Sequence, residues 1–253
     1  AGSDEESPLH EELAATETLP ELPPVADPAT KGAAKSARAK RDVAADVSNT
    51  EKPGSIDKQV KPPTNADRAD AEFRSGMEAY HAGRFEEADA AWTRAMRLDP
   101  GAANARQALL GMLLDRGERA RAEQVLKESL QANPRQAKHA MLLARLQLER
   151  GSQTEALRTL EDGLPHAQWS AEYLAMTATV LSRTGRNRDA AELYRSALRV
   201  GPANPVWEIG LGMALRADGR RAEAREAFEH ARESKAMTAD LLAYVDRQLK
   251  ELR

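Results

Sequence analysis

The chain has 253 residues, with 37 Lys and Arg against 40 Asp and Glu and a formal net charge of −3, a balance that excludes a dominant nucleic-acid footprint. Cysteine is absent, which excludes disulfides, thiolate zinc sites and cysteine nucleophiles together and suits an oxidising compartment without requiring one. No run of about 18 apolar residues is present to span a membrane, and no basic start followed by an apolar centre marks a signal peptide. The chain as given is expected to be soluble, and its start at Ala1-Gly2-Ser3 without Met reads as a cleaved or mature terminus.

Residues 1 to 66 contain no Phe, Tyr or Trp and only nine Leu, Ile or Val, and eight of the thirteen prolines precede Asn65. That apolar content is too small to offset the entropy of ordering a backbone, so the segment is predicted to be a disordered linker. Asp4 to Asp27 holds eight acids and no Lys or Arg, whereas Lys31 to Arg41 holds five bases and no acid. Pro8, Pro20, Pro23, Pro24 and Pro28 favour an extended acidic half, and the Ala/Lys/Arg stretch favours a transient helix. Two readings stay open for it: a solvated spacer, or a basic block that docks on an acidic partner or lipid surface. Residues 67 to 253 suffice for one domain or one repeat array.

Glycine recurs at Gly83, Gly117, Gly151, Gly185 and Gly219, every interval being 34. Alanine follows five residues later at Ala88, Ala122, Ala156, Ala190 and Ala224. A bulky residue comes next at Trp92, Leu126, Leu160, Tyr194 and Phe228, then a small one at Ala95, Ser129, Gly163, Ala197 and Ala231. The pattern predicts that glycine ends one helix in a left-handed cap and that a second amphipathic helix then packs closely through its small residues. Proline closes the unit at Pro100, Pro134 and Pro202, but Gln168 and Ala236 stand in the third and fifth units. With Pro165 early and Trp169 late, the third unit is predicted to have a shortened second helix and an irregular link, the expected bend of the array.

These residues resemble the tetratricopeptide repeat, on the strength of Gly76, Gly83, Ala88, Trp92, Ala95 and Pro100 in the first unit. The resemblance implies an all-α, right-handed solenoid of five helix-turn-helix repeats, at about 69–102, 103–136, 137–170, 171–204 and 205–236. A capping helix is predicted over 238–252 with Leu241, Leu242, Val245 and Leu249 on one face.

No motif for catalysis or cofactor binding emerges. Gly210-Leu211-Gly212 lacks a third glycine and falls mid-helix, so it reads as helix packing rather than a phosphate cradle. His81, His139, His166 and His230 occupy four different repeat positions without paired metal-ligand spacing. There is no nucleophile elbow and no calcium loop, and the carboxylates have the regularity of helix-surface charge. The expectation is a protein without enzymatic activity, metal, cofactor or nucleic-acid partner.

In the family the first helix of each repeat lines the concave face through repeat positions 2, 5, 9, 12 and 13, offsets that share one helix face. With position 1 at Ala69, the implied partner-binding residues are Phe73, Met77, Tyr80, Gln107, Leu114, Lys138, Met141, Arg145, Leu148, Thr179, Arg183, Ile209, Met213 and Arg216. Phe73, Met77 and Tyr80 admit three readings: a groove mouth for a partner, a self-association surface, or local packing. Arg145 and Arg183 are placed either to grip a partner's carboxylate or to form a solvated charged face with Lys138, Glu149 and Glu172. The family's carboxylate clamp for chaperone tails is not matched, because positions 5 and 9 hold Phe73/Met77, Gln107/Gly111 and Met141/Arg145.

Leu143-Ala144-Arg145-Leu146-Gln147-Leu148-Glu149-Arg150-Gly151 and Pro205-Val206-Trp207-Glu208-Ile209-Gly210-Leu211-Gly212 resemble a narrower family, the N component of mannose-sensitive haemagglutinin (MSHA) type IV pilus biogenesis. Leu242-Ala243-Tyr244-Val245-Asp246-Arg247-Gln248-Leu249 fits it as well. That resemblance implies a periplasmic repeat domain, a Pro/Ala/Lys-rich linker and an inner-membrane helix absent from this chain. The function implied is a scaffold that holds another protein of the pilus assembly machine. A flexible linker of this length has a root-mean-square span of roughly 40 to 50 Å, enough to hold the domain off a membrane. A secretin-assembly helper at the outer membrane and an adaptor in a cytoplasmic pathway are the alternatives, and a homo-oligomer stays open.

Overall fold

A computed structural model describes residues 62–253. The chain divides into two units, residues 1–68 and 69–253. The expected disordered tail, with both readings of its charged blocks, lies outside the described residues except at its last few positions. The described residues contain eleven α-helices and no strand. Ten of them form five pairs: α1 (Asn65–His81) with α2 (Phe85–Leu98), α3 (Ala103–Asp115) with α4 (Arg119–Ala132), α5 (Ala137–Glu149) with α6 (Gln153–Gly163), α7 (Ala171–Arg183) with α8 (Asn187–Val200), and α9 (Pro205–Ala217) with α10 (Arg221–Glu233). The last, α11 (Ala239–Glu251), lies over α10.

The 34-residue glycines make the pairs. All five have positive φ, from 71° at Gly117 to 83° at Gly151. At each, the glycine N–H donates three residues back and the next N–H donates five residues back, as in Gly117 to the Leu114 carbonyl at 2.9 Å and Glu118 to the Leu113 carbonyl at 2.7 Å. This pair of hydrogen bonds satisfies two orphan carbonyls of the first helix and reverses the chain in a few residues, where an L-side chain would be strained.

The small and bulky series then form the core. Ala88, Ala122, Ala156, Ala190 and Ala224 are all fully buried, as are Trp92, Leu126, Leu160 and Phe228, with Tyr194 nearly so. Glycines let neighbouring helices approach on both sides of α9. A Cβ at Gly210 would sit 2.5 Å from Tyr194 Cζ of α8, and one at Gly212 would sit 2.8 Å from Phe228 Cε1 of α10. Gly210-Leu211-Gly212 is therefore a packing element.

Sequence expectation and structure differ at the two ends of the array and agree at the third repeat. Helix α1 starts at Asn65, inside the segment assigned to the tail, because Thr64 and Asp67 cap it reciprocally: the Asp67 N–H donates to Thr64 Oγ1 at 3.1 Å and the Thr64 N–H donates to Asp67 Oδ2 at 2.8 Å. The Thr64 hydroxyl, which donates to the same Oδ2 at 2.7 Å, and the Thr64 N–H together hold the Asp67 carboxyl below its ordinary range. In the third repeat α6 is indeed short, ending at Gly163 and giving way to a 3-10 turn over Leu164–His166 that contains Pro165. Trp169 fills no gap at this junction, being 87% exposed. On the capping helix, Leu242 is exposed, and the inward face is made instead by Leu241, Tyr244, Val245, Gln248, Leu249 and Leu252. That stripe follows the helical period one turn beyond the leucines.

Ion pairs bridge each junction of the array. Asp89 receives Arg121, Glu123 receives Arg150 at 3.0 Å, Glu161 receives Arg186, and Glu192 receives Arg220 at 3.6 Å. Three of the four arginines lie at the glycine turns, Arg150 just after α5 and Arg186 and Arg220 just before α8 and α10, so these pairs join a turn of one repeat to the second helix of the repeat before it.

Candidate protein-binding face

The first helices α1, α3, α5, α7 and α9 each turn a side of small and apolar residues into the core, and the residues that flank that side range from exposed, as at Gln107 and Lys138, to half-buried. This flank contains the face implied by the repeat resemblance. The structure divides its residues into three groups.

Phe73, Met77 and Tyr80 are half-buried and pack against the core shared by the first two repeats. The Phe73 carbonyl accepts a hydrogen bond from Trp92 Nε1 at 3.3 Å, and the Tyr80 ring lies 5.7 Å from that of Trp92 and 5.6 Å from that of Phe85. Leu114 packs against the same core while Gln107 is exposed. Phe73, Met77 and Tyr80 thus have a packing role whatever else they do.

The middle group is the most open to a partner. Lys138, Met141, Arg145 and Leu148 fall at offsets of three and four along α5 and share one side of it, beside the buried Ala140, Leu143, Ala144 and Gln147. Lys138 is exposed and the other three are half-buried. Neither Lys138 nor Arg145 has an ion pair or side-chain hydrogen bond among the described residues. Glu149, one turn on, is held by Arg119 at 2.9 Å.

In the last two repeats the implied face is largely committed elsewhere. Ile209 is fully buried, so it belongs to the core and not to a binding surface; the glycine at 210 brings Tyr194 of α8 against this part of α9. The Thr179 hydroxyl donates to the Ala175 carbonyl at 2.9 Å and shares a second hydrogen bond, of 2.8 Å, with the Tyr194 hydroxyl. Arg216 bonds Gln248 and pairs with Glu251 at 3.0 Å, fastening the capping helix. Arg183 and Met213 remain half-buried.

One polar network was not visible in the repeat pattern. Ser129 fills the small-residue position of the second repeat, and its buried hydroxyl needs partners that alanine would not. Gln136 Nε2 donates to it at 3.0 Å, and His139 Nδ1 lies 2.8 Å away. The hydroxyl carries two acceptor lone pairs and one proton, so which partner donates in the contact with His139 is set by the imidazole tautomer. Burial, with Arg106 adding to it, holds the His139 pKa below its ordinary value. Ser129 and His139 do not form a nucleophile pair: the serine is buried, and the charged neighbour that acts on the histidine is a cation rather than an orienting carboxylate.

No cluster of His, Asp or Glu able to hold a metal occurs among the described residues. None of their helices is long and apolar enough to cross a membrane.

Sequence models of the tetratricopeptide repeat match residues 79–146, 113–180 and 176–237, together a continuous stretch covering more than half of the chain. No curated protein sequence matches it. Among solved structures it is similar to MamA, at 20% identity over 66% of this chain and 91% of that one, with a TM-score of 0.54. It is similar to YrrB, described as a tetratricopeptide-repeat protein with an unusual peptide-binding site, at 16% identity over 71% of this chain and 92% of that one, with a TM-score of 0.57. It is similar to PilF of Pseudomonas aeruginosa at 18% identity over 74% and 93% of the two chains, with a TM-score of 0.50. At these identities the likeness shows a common fold.

Proposed function

From a chain that belongs to the tetratricopeptide-repeat family and serves as a protein–protein interaction scaffold, we propose a more particular role: a non-enzymatic assembly protein of an MSHA-like type IV pilus machine, holding another component of that machine on the concave side of its first helices. The observation that carries the scaffold reading is the stripe Lys138, Met141, Arg145 and Leu148 on α5, which combines apolar surface with two cations that nothing in the described chain engages. The pilus assignment is supported by the three stretches at 143–151, 205–212 and 242–249 that resemble the N component of that system. The likeness to PilF concerns the fold alone. Residence in the periplasm, with a tether to the inner membrane through residues 1–66, follows from the same resemblance and from the reach expected of such a linker.

A crosslinking pulldown of the full chain from an envelope extract of a pilus-bearing host tests this reading, with a Met141/Leu148 to Ser double variant as control. Enrichment of pilus-machine proteins that the variant loses is the expected result. Enrichment of cytosolic proteins, or of secretin components alone, would replace the assignment with one of its alternatives.

A further inference from the structure

Repeat positions 5, 9 and 12 are the middle of the proposed face. Across five repeats these fifteen positions, from Phe73 to Arg216, hold no acid. Two are charged, and they are in different circumstances. Arg216 is bound by Gln248 and Glu251 of the capping helix. Arg145 is half-buried and has no hydrogen-bond or ion-pair partner among the described residues.

A guanidinium has five donors, and partial burial without a partner forfeits hydration that nothing inside the chain replaces. The acids within reach of the repeat register do not repair this. Glu149 is engaged with Arg119, Glu172 accepts from the Ser170 hydroxyl at 3.3 Å, and Asp115 stands exposed at the last turn of α3, at the rim rather than the middle. On either side of Arg145 along its own helix the surface is apolar, Met141 one turn before and Leu148 nearly one turn after.

We infer that the protein segment received by this face carries an internal Asp or Glu whose carboxylate lands on Arg145, with apolar residues on both sides of it that cover Met141 and Leu148. The inference rests on the protein-binding reading above. Charge complementarity selects the acid, because a charge-assisted, fork-shaped contact supplies the donors' missing acceptors. Apolar surface on both sides places that acid within the segment and not at its end. Lys138, two turns before Arg145 and about 10 Å from it along the axis, accepts a second acid at the rim without being required for the first.

Selection of a phage-displayed random dodecapeptide library on the full chain tests this, repeated on Arg145→Gln, Arg145→Lys and Arg145→Glu variants verified as folded by circular dichroism. The expected winners on the unmodified chain carry an Asp or Glu between apolar residues. A synthetic winner should bind Arg145→Gln about tenfold more weakly or worse, bind less well as salt rises, and keep its acid preference on Arg145→Lys. Arg145→Glu should select Lys or Arg at the same place. Winners without an acid, or winners whose affinity Arg145→Gln leaves unchanged, overturn the inference while leaving the protein-binding reading intact. Failure to select any peptide on any version removes the protein-binding reading itself, and the inference with it.

Discussion

Arg121 on α4 closes on Asp89 on α2 with both terminal nitrogens of its guanidinium, Nη2 reaching Oδ1 at 3.0 Å while Nη1 bonds Oδ2. The two residues belong to successive repeats, so this fork spans the first junction of the solenoid. Arg121 also draws on Glu118 at 3.5 Å. The same residue thereby ties the start of its own helix to the neighbouring repeat.

Asp89 is mostly buried and Arg121 half exposed, so solvent screens part of the attraction. A double-mutant cycle with Asp89→Ala and Arg121→Ala is expected to give a coupling of about 0.5 to 1 kcal/mol, shrinking as salt is raised. Urea unfolding of the four proteins measures it. A coupling indistinguishable from zero at low salt would mean that the pair follows the packing rather than setting it.

The fully buried alanines have no room for growth. Ala122→Leu or Ala190→Leu should lower stability by about 1 to 3 kcal/mol through overpacking, whereas Ala120→Leu, on the exposed side of α4, should change it by less than about 0.5 kcal/mol. Gly210→Ala belongs with the first group because of the Tyr194 ring that a methyl would meet. Chemical denaturation decides the matter, and equal tolerance at Ala122 and Ala120 would break the repeat register.

Acid should loosen the junction between the second and third repeats. His139 has its pKa lowered by burial and then by Arg106, so the folded chain resists a proton that the unfolded chain accepts. Its effect on stability is absent at high pH, where the imidazole is neutral in both states. It grows as pH falls through the unfolded value of about 6.5 and levels off below the lowered folded value. Glu208 works in the opposite direction, since burial raises its carboxyl and protonation there relieves the fold as pH falls. The measurement is therefore a difference: thermal midpoints from pH 7.5 to pH 5 for the unmodified chain and for His139→Gln, in which the fall between them should flatten. A parallel fall in both proteins would place the acid sensitivity elsewhere.

Much of the architecture is legible in residue spacing because it is local. Gly83, Gly117, Gly151, Gly185 and Gly219 are required wherever the chain turns with positive φ, and the alanines and bulky residues that follow must meet at the same depth in every unit. Pro165 and the absence of a proline at 168 likewise announced the early end of α6. The face was legible only in outline. Its register positions predict which side of a helix a residue occupies, but not whether a neighbour has already claimed it.

That claim is made by the tertiary structure. Ile209 is lost to the core, Thr179 is engaged by Tyr194, and Arg216 is taken by the capping helix, although all three hold positions equivalent to those of accessible residues in other repeats. Lys138 and Arg145 are left without such partners. The sequence by itself determined the repeat, its period and the turn that closes each hairpin, because these depend on backbone conformation and side-chain volume within one unit. Only the tertiary structure decided which side chains of the common face remain available, because partner choice across junctions depends on distances between residues up to 35 positions apart, which no property of one unit contains.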